Sequence, residues 1–328
     1  MKAILEHLIA HKTLDKPLAK QLLIDIANNK YNEYQVASFL TVFMLRAIRI
    51  EELEGFRDAL LELCLAVDLT EFDPMDLCGT GGDGKNTFNV STLASFVVAG
   101  AGIKVAKHGN YGVSSNCGSS NVLEYLGITF KTEESQLKSD LDKNGICFLH
   151  APLFHPAMKN VAPIRKNLGI KTFFNMLGPM VNPAQPNKQL VGVFSLELAR
   201  MYSYLYQQTD KQYGIVHALD GYDEVSLTGK AKLLARHSDI VLDASSFGVN
   251  KLKPEQIFGA EDIKGSAAIF VDVLKGNGTK AQENVVCANA ALAIKTYYPE
   301  MELLDAMALA QESLKGGKAK AVFNKVTA

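Results

Sequence analysis

The sequence predicts an α/β protein: a mainly parallel sheet flanked by helices, with a smaller all-α domain at the N-terminus. Three observations carry this expectation. Residues 1 to about 68 show helical periodicity only. Beyond Thr70-Glu71-Phe72-Asp73-Pro74, which reads as a linker, short apolar or β-branched runs alternate with helical segments, the pattern of a parallel sheet with helices on its faces. The length of 328 residues, 48% of them apolar, is enough for two domains and a large buried core.

In the helical part, Leu18, Leu22 and Ile26 share one face. Val36, Phe39, Leu40, Phe43, Met44 and Ala47 follow the i, i+3, i+4, i+7 rule, as do Leu53, Phe56, Leu60, Leu63 and Val67. Asp15 and Asn32 are expected N-caps, with Pro17 in a first turn. The apolar face from Val36 to Ala47 is wide enough to serve either an internal core or a subunit interface. After the linker, strands are expected near Met75–Cys78, Ile103–Ala106, Ile146–Leu149, Leu190–Phe194, Tyr213–Ala218 and Ala267–Val273. Helices are expected over Asn89–Gly102, Gly118–Gly127, Glu133–Asn144 and Glu197–Gln208.

Two glycine-rich loops follow predicted strands and therefore fall at the carboxyl edge of the sheet, where ligands of such folds bind. The first runs Cys78-Gly79-Thr80-Gly81-Gly82-Asp83-Gly84-Lys85-Asn86-Thr87. It satisfies G-x-G-x-x-G, but the helix starts only near Asn89–Ser91, and the next strand ends in Lys107-His108 with no acidic residue for a ribose. A dinucleotide loop is excluded on both counts. A Walker loop is excluded too, because Asn86 stands where Ser or Thr should meet magnesium. The physics common to both look-alikes survives: successive glycines form an anion-binding nest, and a helix N-terminus with Asn89, Ser91 and Thr92 follows it. The second loop, Lys107-His108-Gly109-Asn110-Tyr111-Gly112-Val113-Ser114-Ser115, sets a cation, an imidazole and an amide side by side. Two nests on adjacent strands suit a ligand with two separated phosphate groups.

The net charge of −1 argues against a broad nucleic-acid footprint. Cys64, Cys78, Cys117, Cys147 and Cys287 are scattered without a Cys-x-x-Cys pair, which suits a reducing compartment rather than a disulfide framework or zinc site. The N-terminus is broken by Glu6 and His7 and is no signal peptide, and no apolar run approaches the roughly 18 residues that span a bilayer. A cytoplasmic protein without membrane contact is expected.

Gly79-Thr80-Gly81-Gly82-Asp83, Asn89-Val90-Ser91-Thr92 and Lys107-His108-Gly109-Asn110 resemble the signature of the anthranilate phosphoribosyltransferase family. The likeness continues through His150-Ala151-Pro152, His155-Pro156-Ala157-Met158, Val161-Ala162-Pro163-Ile164-Arg165, Phe174-Asn175-Met176-Leu177-Gly178-Pro179 and Asp220-Gly221-Tyr222-Asp223-Glu224-Val225-Ser226. It covers nearly the whole chain. The sequence departs from it at Tyr111, where the family usually carries Arg, and at Cys117 and Ser120-Asn121.

The resemblance implies magnesium-dependent transfer of a phosphoribosyl group from phosphoribosyl pyrophosphate (PRPP) to anthranilate. It assigns PRPP to Gly79, Gly82, Asp83, Thr87, Asn89, Val90, Ser91, Thr92, Lys107, His108, Gly109, Asn110, Tyr111, Gly112, Val113, Ser114, Ser115 and Ser119. It assigns anthranilate to Gly79, Asn110 and Arg165, and magnesium (Mg2+) to Ser91, Asp223 and Glu224. No strong general base is expected. The implied organisation is a helical domain over 1–69, with a returning segment near 166–186 as a candidate addition, and an α/β domain over 70–328, the chain forming a homodimer. Two other readings share this fold: a pyrimidine nucleoside phosphorylase, which would use free phosphate in place of PRPP, and a non-enzymatic nucleic-acid-binding relative, which would need a basic groove.

Overall fold

The computed structural model describes residues 1–112 and 117–328. Four helices open the chain: α1 (Lys2–Ile9), α2 (Lys16–Ala27), α3 (Glu33–Leu45) and α4 (Ile50–Leu63). There follow β1 (Met75–Gly79), α5 (Val90–Gly100), β2 (Val105–Gly109), α6 (Ser119–Tyr125), α7 (Glu134–Asn144) and β3 (Ile146–His150). Three short helices come next, α8 (Ala151–Phe154), α9 (Ala162–Leu168) and α10 (Phe174–Leu177). The remainder is β4 (Lys188–Gly192), α11 (Leu196–Gln207), β5 (Gln212–Ala218), β6 (Ala231–Ala235), β7 (Ser238–Leu242), α12 (Ile263–Lys275), α13 (Lys280–Tyr297), α14 (Leu303–Lys315) and α15 (Lys318–Thr327).

Two compact units result. One joins Met1–Val67 with Ala151–Pro183, and the other joins Asp68–His150 with Ala184–Ala328. In the helical unit the side chains of Asp15 and Asn32 accept hydrogen bonds from Leu18 N–H and Gln35 N–H, capping α2 and α3, with Pro17 in the first turn of α2. The core is aromatic: Phe39, Phe43 and Phe56 meet edge to face, and Phe173 from the returning segment stacks on Phe56 at 4.5 Å. The one fully buried acid of this unit, Glu52, accepts from Leu14 N–H (2.9 Å), Arg49 N–H (2.9 Å) and the Arg46 guanidinium.

The α/β unit is built on a seven-stranded sheet of order β3-β2-β1-β4-β5-β6-β7. The first five strands in that order are parallel, and β6 and β7 close the sheet as an antiparallel hairpin. Side chains alternate across it. Met75 and Leu77 of β1 join the core with α5 and α13, while Asp76 and Cys78 point to the other side, where Gln189, Tyr206 and Tyr213 lie. Helix α5 over Thr92–Ala99 and helix α13 over Asn284–Ile294 are buried on every face, as central helices are.

The expected mainly parallel sheet is present, with two corrections. Ala267–Val273 is not a strand but the middle of α12. Its apolar run has no period of its own to separate strand from helix; what decides is the Asp262 side chain capping Gly265 N–H and Gly276 in the left-handed region at the C-cap. The hairpin β6–β7 escaped the sequence pattern because β7 is an edge strand with the consecutive residues Asp239, Ile240 and Val241 all exposed, so neither face carries an alternating core signal.

Glu52→Ala should be among the most damaging single changes in the helical unit. It orphans the buried Leu14 N–H and the part-buried Arg49 N–H and leaves the Arg46 charge without its partner, a cost of about 3–5 kcal/mol. Equilibrium urea unfolding should show that loss, whereas Glu6→Ala, at an exposed pair with Lys2, should lie within about 0.5 kcal/mol of wild type.

Candidate active site

The strand order reverses between β1 and β4: from β1 the chain crosses to β2 on one side and later returns to β4 on the other. At such a switch point the connections leave in opposite directions and open a crevice beyond the strand ends. Here that crevice is a cleft lined by Gly79 at the end of β1, Gly192 at the end of β4, Ser91 of α5, Asp223, Glu224 and Asn289.

Three parts of the chain meet in it. The first loop leaves β1 with Thr80 N–H bonded to the Gly192 carbonyl at 2.9 Å. Gly81 and Gly82 then take positive φ (62° and 76°), a conformation that turns successive N–H groups to one side. One of these groups, Gly81 N–H, donates to Asp223 Oδ2 at 2.7 Å. Asp83 folds back to accept Lys85 N–H at 3.0 Å. Helix α5 begins at Val90, so Asn89, Ser91 and the buried Thr92 stand at its N-terminus, and Asn89 Nδ2 donates to the Cys117 carbonyl at 3.3 Å.

The acidic turn Tyr222–Val225 is the third part. It is fixed from below by Asn289 of α13, whose amide accepts Val225 N–H (3.0 Å) and donates to the Val225 carbonyl (2.8 Å). Two glycines allow it to lie against the strand ends. A Cβ on Gly192 would stand 1.5 Å from the Asp223 carbonyl oxygen, and one on Gly79 would stand 2.5 Å from Asp223 Oδ2. At Gly192 a side chain would push the backbone of the turn, and at Gly79 it would displace the Asp223 carboxylate.

The electrostatics of this group are unbalanced. Burial, with the charge of Asp83 behind it, pushes the Asp223 carboxyl up to about 7. Burial and the charges of Asp223 and Asp83 push Glu224 well above the usual carboxylate range, against the opposing hydrogen bond of Thr87. Thr80 Oγ1, Asp83 Oδ2 and Glu224 Oε1 are buried without a hydrogen-bond partner. Hard oxygen donors of this kind, crowded and unsatisfied, fit a magnesium ion. Among the described residues no three His, Cys, Asp or Glu side chains form a ready-made metal cage.

In the second loop the side chains are turned partly inward. Lys107 and His108 are buried, and the Lys107 ammonium bonds the Leu77 carbonyl of β1. The Asn110 carbonyl accepts from Ser119 Oγ (3.3 Å) and Ser120 N–H (3.2 Å), so the start of α6 holds Gly109–Tyr111. Gly112 N–H donates to Asn121 Oδ1 at 2.9 Å, and the Tyr111 ring meets the His150 ring edge-on at 4.6 Å. Val113, Ser114 and Ser115 lie outside the described residues. Arg165 belongs to the helical unit, where its guanidinium lies over the Phe174 ring and 3.4 Å from Asn175 Oδ1. Among the described residues no carboxylate pairs with it, and burial lowers its proton affinity. Asn289 and Gly192 were not singled out from sequence. The signal for the first was a polar residue inside the apolar run Val285–Ile294.

Models of a glycosyl transferase family match both parts of the chain, the family's helical bundle domain over residues 2–64 and its a/b domain over residues 71–320. Among curated relatives, the anthranilate phosphoribosyltransferase of Christiangramia forsetii is 61% identical over 99% of this chain and 98% of its own. That of Flavobacterium psychrophilum is 60% identical at the same coverage. Two solved structures superpose with a TM-score of 0.90 at 30% identity: the enzyme of the same name from Thermus thermophilus, covering 98% of each chain, and that from Saccharomyces cerevisiae in complex with PRPP and Mg, covering 98% of this chain and 95% of the other. The chain belongs to the anthranilate phosphoribosyltransferase family.

Gly192→Ala should cost stability as well as activity, because its Cβ would overlap the Asp223 carbonyl and the acidic turn would have to move. Displacing the acidic turn by even 1 Å is expected to lower turnover about a hundredfold. Steady-state kinetics across a magnesium titration would check this, the variant needing more magnesium than wild type for half-maximal rate.

Proposed function

We propose that the protein transfers the 5-phosphoribosyl group of PRPP to the amine of anthranilate, releasing pyrophosphate and forming N-(5-phosphoribosyl)anthranilate, a magnesium-dependent step of tryptophan biosynthesis. The observation that carries this reading is the meeting, at one sheet switch point, of a backbone N–H nest, a helix N-terminus and an under-neutralised group of three acids. Nest and helix attract phosphate, and the acids attract the cation that phosphate also needs. The yeast neighbour solved with PRPP and Mg supports the same pairing.

In this mechanism the first loop and the α5 N-terminus (Gly79, Gly82, Asp83, Thr87 and Asn89 to Thr92) bind the phosphates, together with Lys107 to Ser115 and Ser119. Ser91, Asp223 and Glu224 would hold magnesium, which when bound supplies charge neutralisation for the departing pyrophosphate. Gly79, Asn110 and Arg165 receive anthranilate. Arg165 suits this role because its planar fork matches a carboxylate and because it lacks an acidic partner among the described residues. An aromatic amine is unprotonated at neutral pH and turns acidic only once its new bond has formed, so the chain needs no strong general base. Its work is holding the donor, orienting the amine and stabilising positive charge on the ribosyl carbon.

A phosphorylase or nucleic-acid-binding reading has no support from the named relatives. A homodimer is in keeping with the exposed Tyr34, Met44 and Leu45 on α3. A cytoplasmic location accords with five free thiols, and no helix among the described residues is long and apolar enough to cross a membrane.

The reading is tested by following anthranilate fluorescence with PRPP and magnesium, omitting each in turn. Consumption should require all three components, and consumption without PRPP would end the proposal. Asp223→Asn combined with Glu224→Gln should reduce turnover by about a hundredfold or more and flatten the magnesium dependence. Arg165→Ala should raise the KM for anthranilate by about tenfold or more while moving the KM for PRPP little, the pattern of a lost charge-assisted clamp. Equal effects on both substrates would count against the clamp.

A further inference from the structure

The segment Phe174-Asn175-Met176-Leu177-Gly178-Pro179 has no part in the mechanism above, yet two of its side chains lie against Arg165. The Arg165 guanidinium, in the last turn of α9, stands 5.0 Å over the Phe174 ring, with Nη2 3.4 Å from Asn175 Oδ1. The same Oδ1 accepts Thr172 N–H at 3.2 Å, and Asn175 N–H donates to the Thr172 carbonyl at 3.0 Å. A backbone N–H only donates, so the side-chain atom facing it is the amide oxygen, and the two reciprocal bonds hold that oxygen in place. The guanidinium is therefore located by a ring face and by a neutral carbonyl dipole.

The segment is also unbalanced in charge. Over the whole chain 34 Lys and Arg are matched by 35 Asp and Glu, but residues 151–183 hold Lys159, Arg165, Lys166 and Lys171 and no acid. Burial alone shifts the proton affinity of Arg165, downward, with no acid near enough to oppose it. Both Arg165 and Asn175 stay partly exposed, so the guanidinium is not sealed into the core. A half-buried cation without a counter-ion is costly to keep. An aspartate at position 175 would remove that cost with no change of shape, because its carboxylate would accept from Thr172 N–H and from the guanidinium alike. It would also occupy the charge that an incoming carboxylate needs. Asparagine supplies the geometry without the neutralisation.

We infer that Asn175 is a positioning residue that sets acceptor specificity: its amide oxygen aims the Arg165 guanidinium and leaves the positive charge free for the acceptor's carboxylate. Asn175 acts through Arg165. The inference rests on the Arg165 clamp proposed above and deepens it, because the neutrality of the residue behind the clamp is what lets the site prefer a carboxylate to a neutral group of the same shape.

The test measures KM for both substrates, inhibition by anthranilamide (the neutral amide of anthranilate) and thermal unfolding, in the full-length wild type, Asn175→Asp and Asn175→Ala. Asn175→Asp should raise the KM for anthranilate by about tenfold or more, the scale of a lost charge-assisted contact. It should leave the KM for PRPP and the inhibition constant of anthranilamide within about threefold of wild type. It should unfold no lower in temperature than wild type, because the new carboxylate pairs the guanidinium. Stability and anthranilate affinity then move in opposite directions, which a merely structural role would not produce. Asn175→Ala keeps the free charge but loses its aim and the Thr172 bond, so it should be the less stable variant and yet raise the KM for anthranilate by the smaller factor. Three results for Asn175→Asp would overturn the inference: anthranilate bound within about twofold of wild type, equal losses of anthranilate, anthranilamide and PRPP, or a protein that unfolds below wild type or fails to fold. Asn175→Ala exceeding Asn175→Asp in KM would overturn it too. An Arg165→Ala variant with unchanged KM for anthranilate ends the clamp and this inference together, whereas Arg165→Ala losing anthranilate beside an Asn175→Asp that does not ends this inference alone.

Discussion

The site depends on how closely an acidic turn can approach the end of a parallel sheet. Asp223 lies against two strand ends whose last residues, Gly79 and Gly192, have no side chain to keep it away. Everything else in the cleft follows from that approach. The Asp223 carboxylate captures Gly81 N–H and so orders the first loop, and Asn289 clamps the turn from α13 through both polar groups of Val225. Three carboxyl groups thereby share a water-poor volume in which their charges resist one another, as the raised proton affinities of Asp223 and Glu224 express. A protein would not keep such a group for stability, because buried like charges destabilise. The magnesium and phosphate groups proposed above would relieve that repulsion and complete one another's shells.

This fixes a division of labour. The first loop offers mostly backbone N–H groups, which carry no charge to desolvate and need no rotamer to order. In the proposed reading the acids would supply the metal's share of the binding and α5 its N-terminus. Donors that are already fixed before the substrate arrives do not reorganise during reaction, which is the basis of electrostatic catalysis. In the helical unit the Arg165 guanidinium is likewise held in place, over Phe174 and beside Asn175.

Much of this was legible in the sequence because its causes are local. Glycine spacing, the caps Asp15 and Asn32, and the delayed helix start at Val90 are decided within a few residues, and the structure shows each as expected. Asp223 and Glu224 were legible only through resemblance, since an Asp-Glu pair alone signals an exposed loop. What could not be read is what acts through space. Nothing near Gly192 in the chain announces that residue 223 will press on it, and nothing near Asn289 announces the turn it clamps. The misread of Ala267–Val273 has the same origin. Its apolar run suits either element, and the arbiters, Asp262 and Gly276, lie outside the run itself. The edge hairpin β6–β7 shows the converse, a strand whose exposed faces leave no pattern to find.

The underside of the sheet explains why the loops can be both glycine-rich and well placed. Glycine loops are entropically costly to order, so their anchor points must be rigid. The anchors here are side-chain bonds on or just below the strand ends: Asn289 to Val225, Gln189 and Cys78 to Asp76, Asp76 to His108, and Lys107 to Leu77. All of these residues are buried, where a hydrogen bond faces no competition from water and an unmade one is expensive. The network is therefore close to all-or-none: each member is satisfied only when the others are in place. The spacing between the loops is set by the strands.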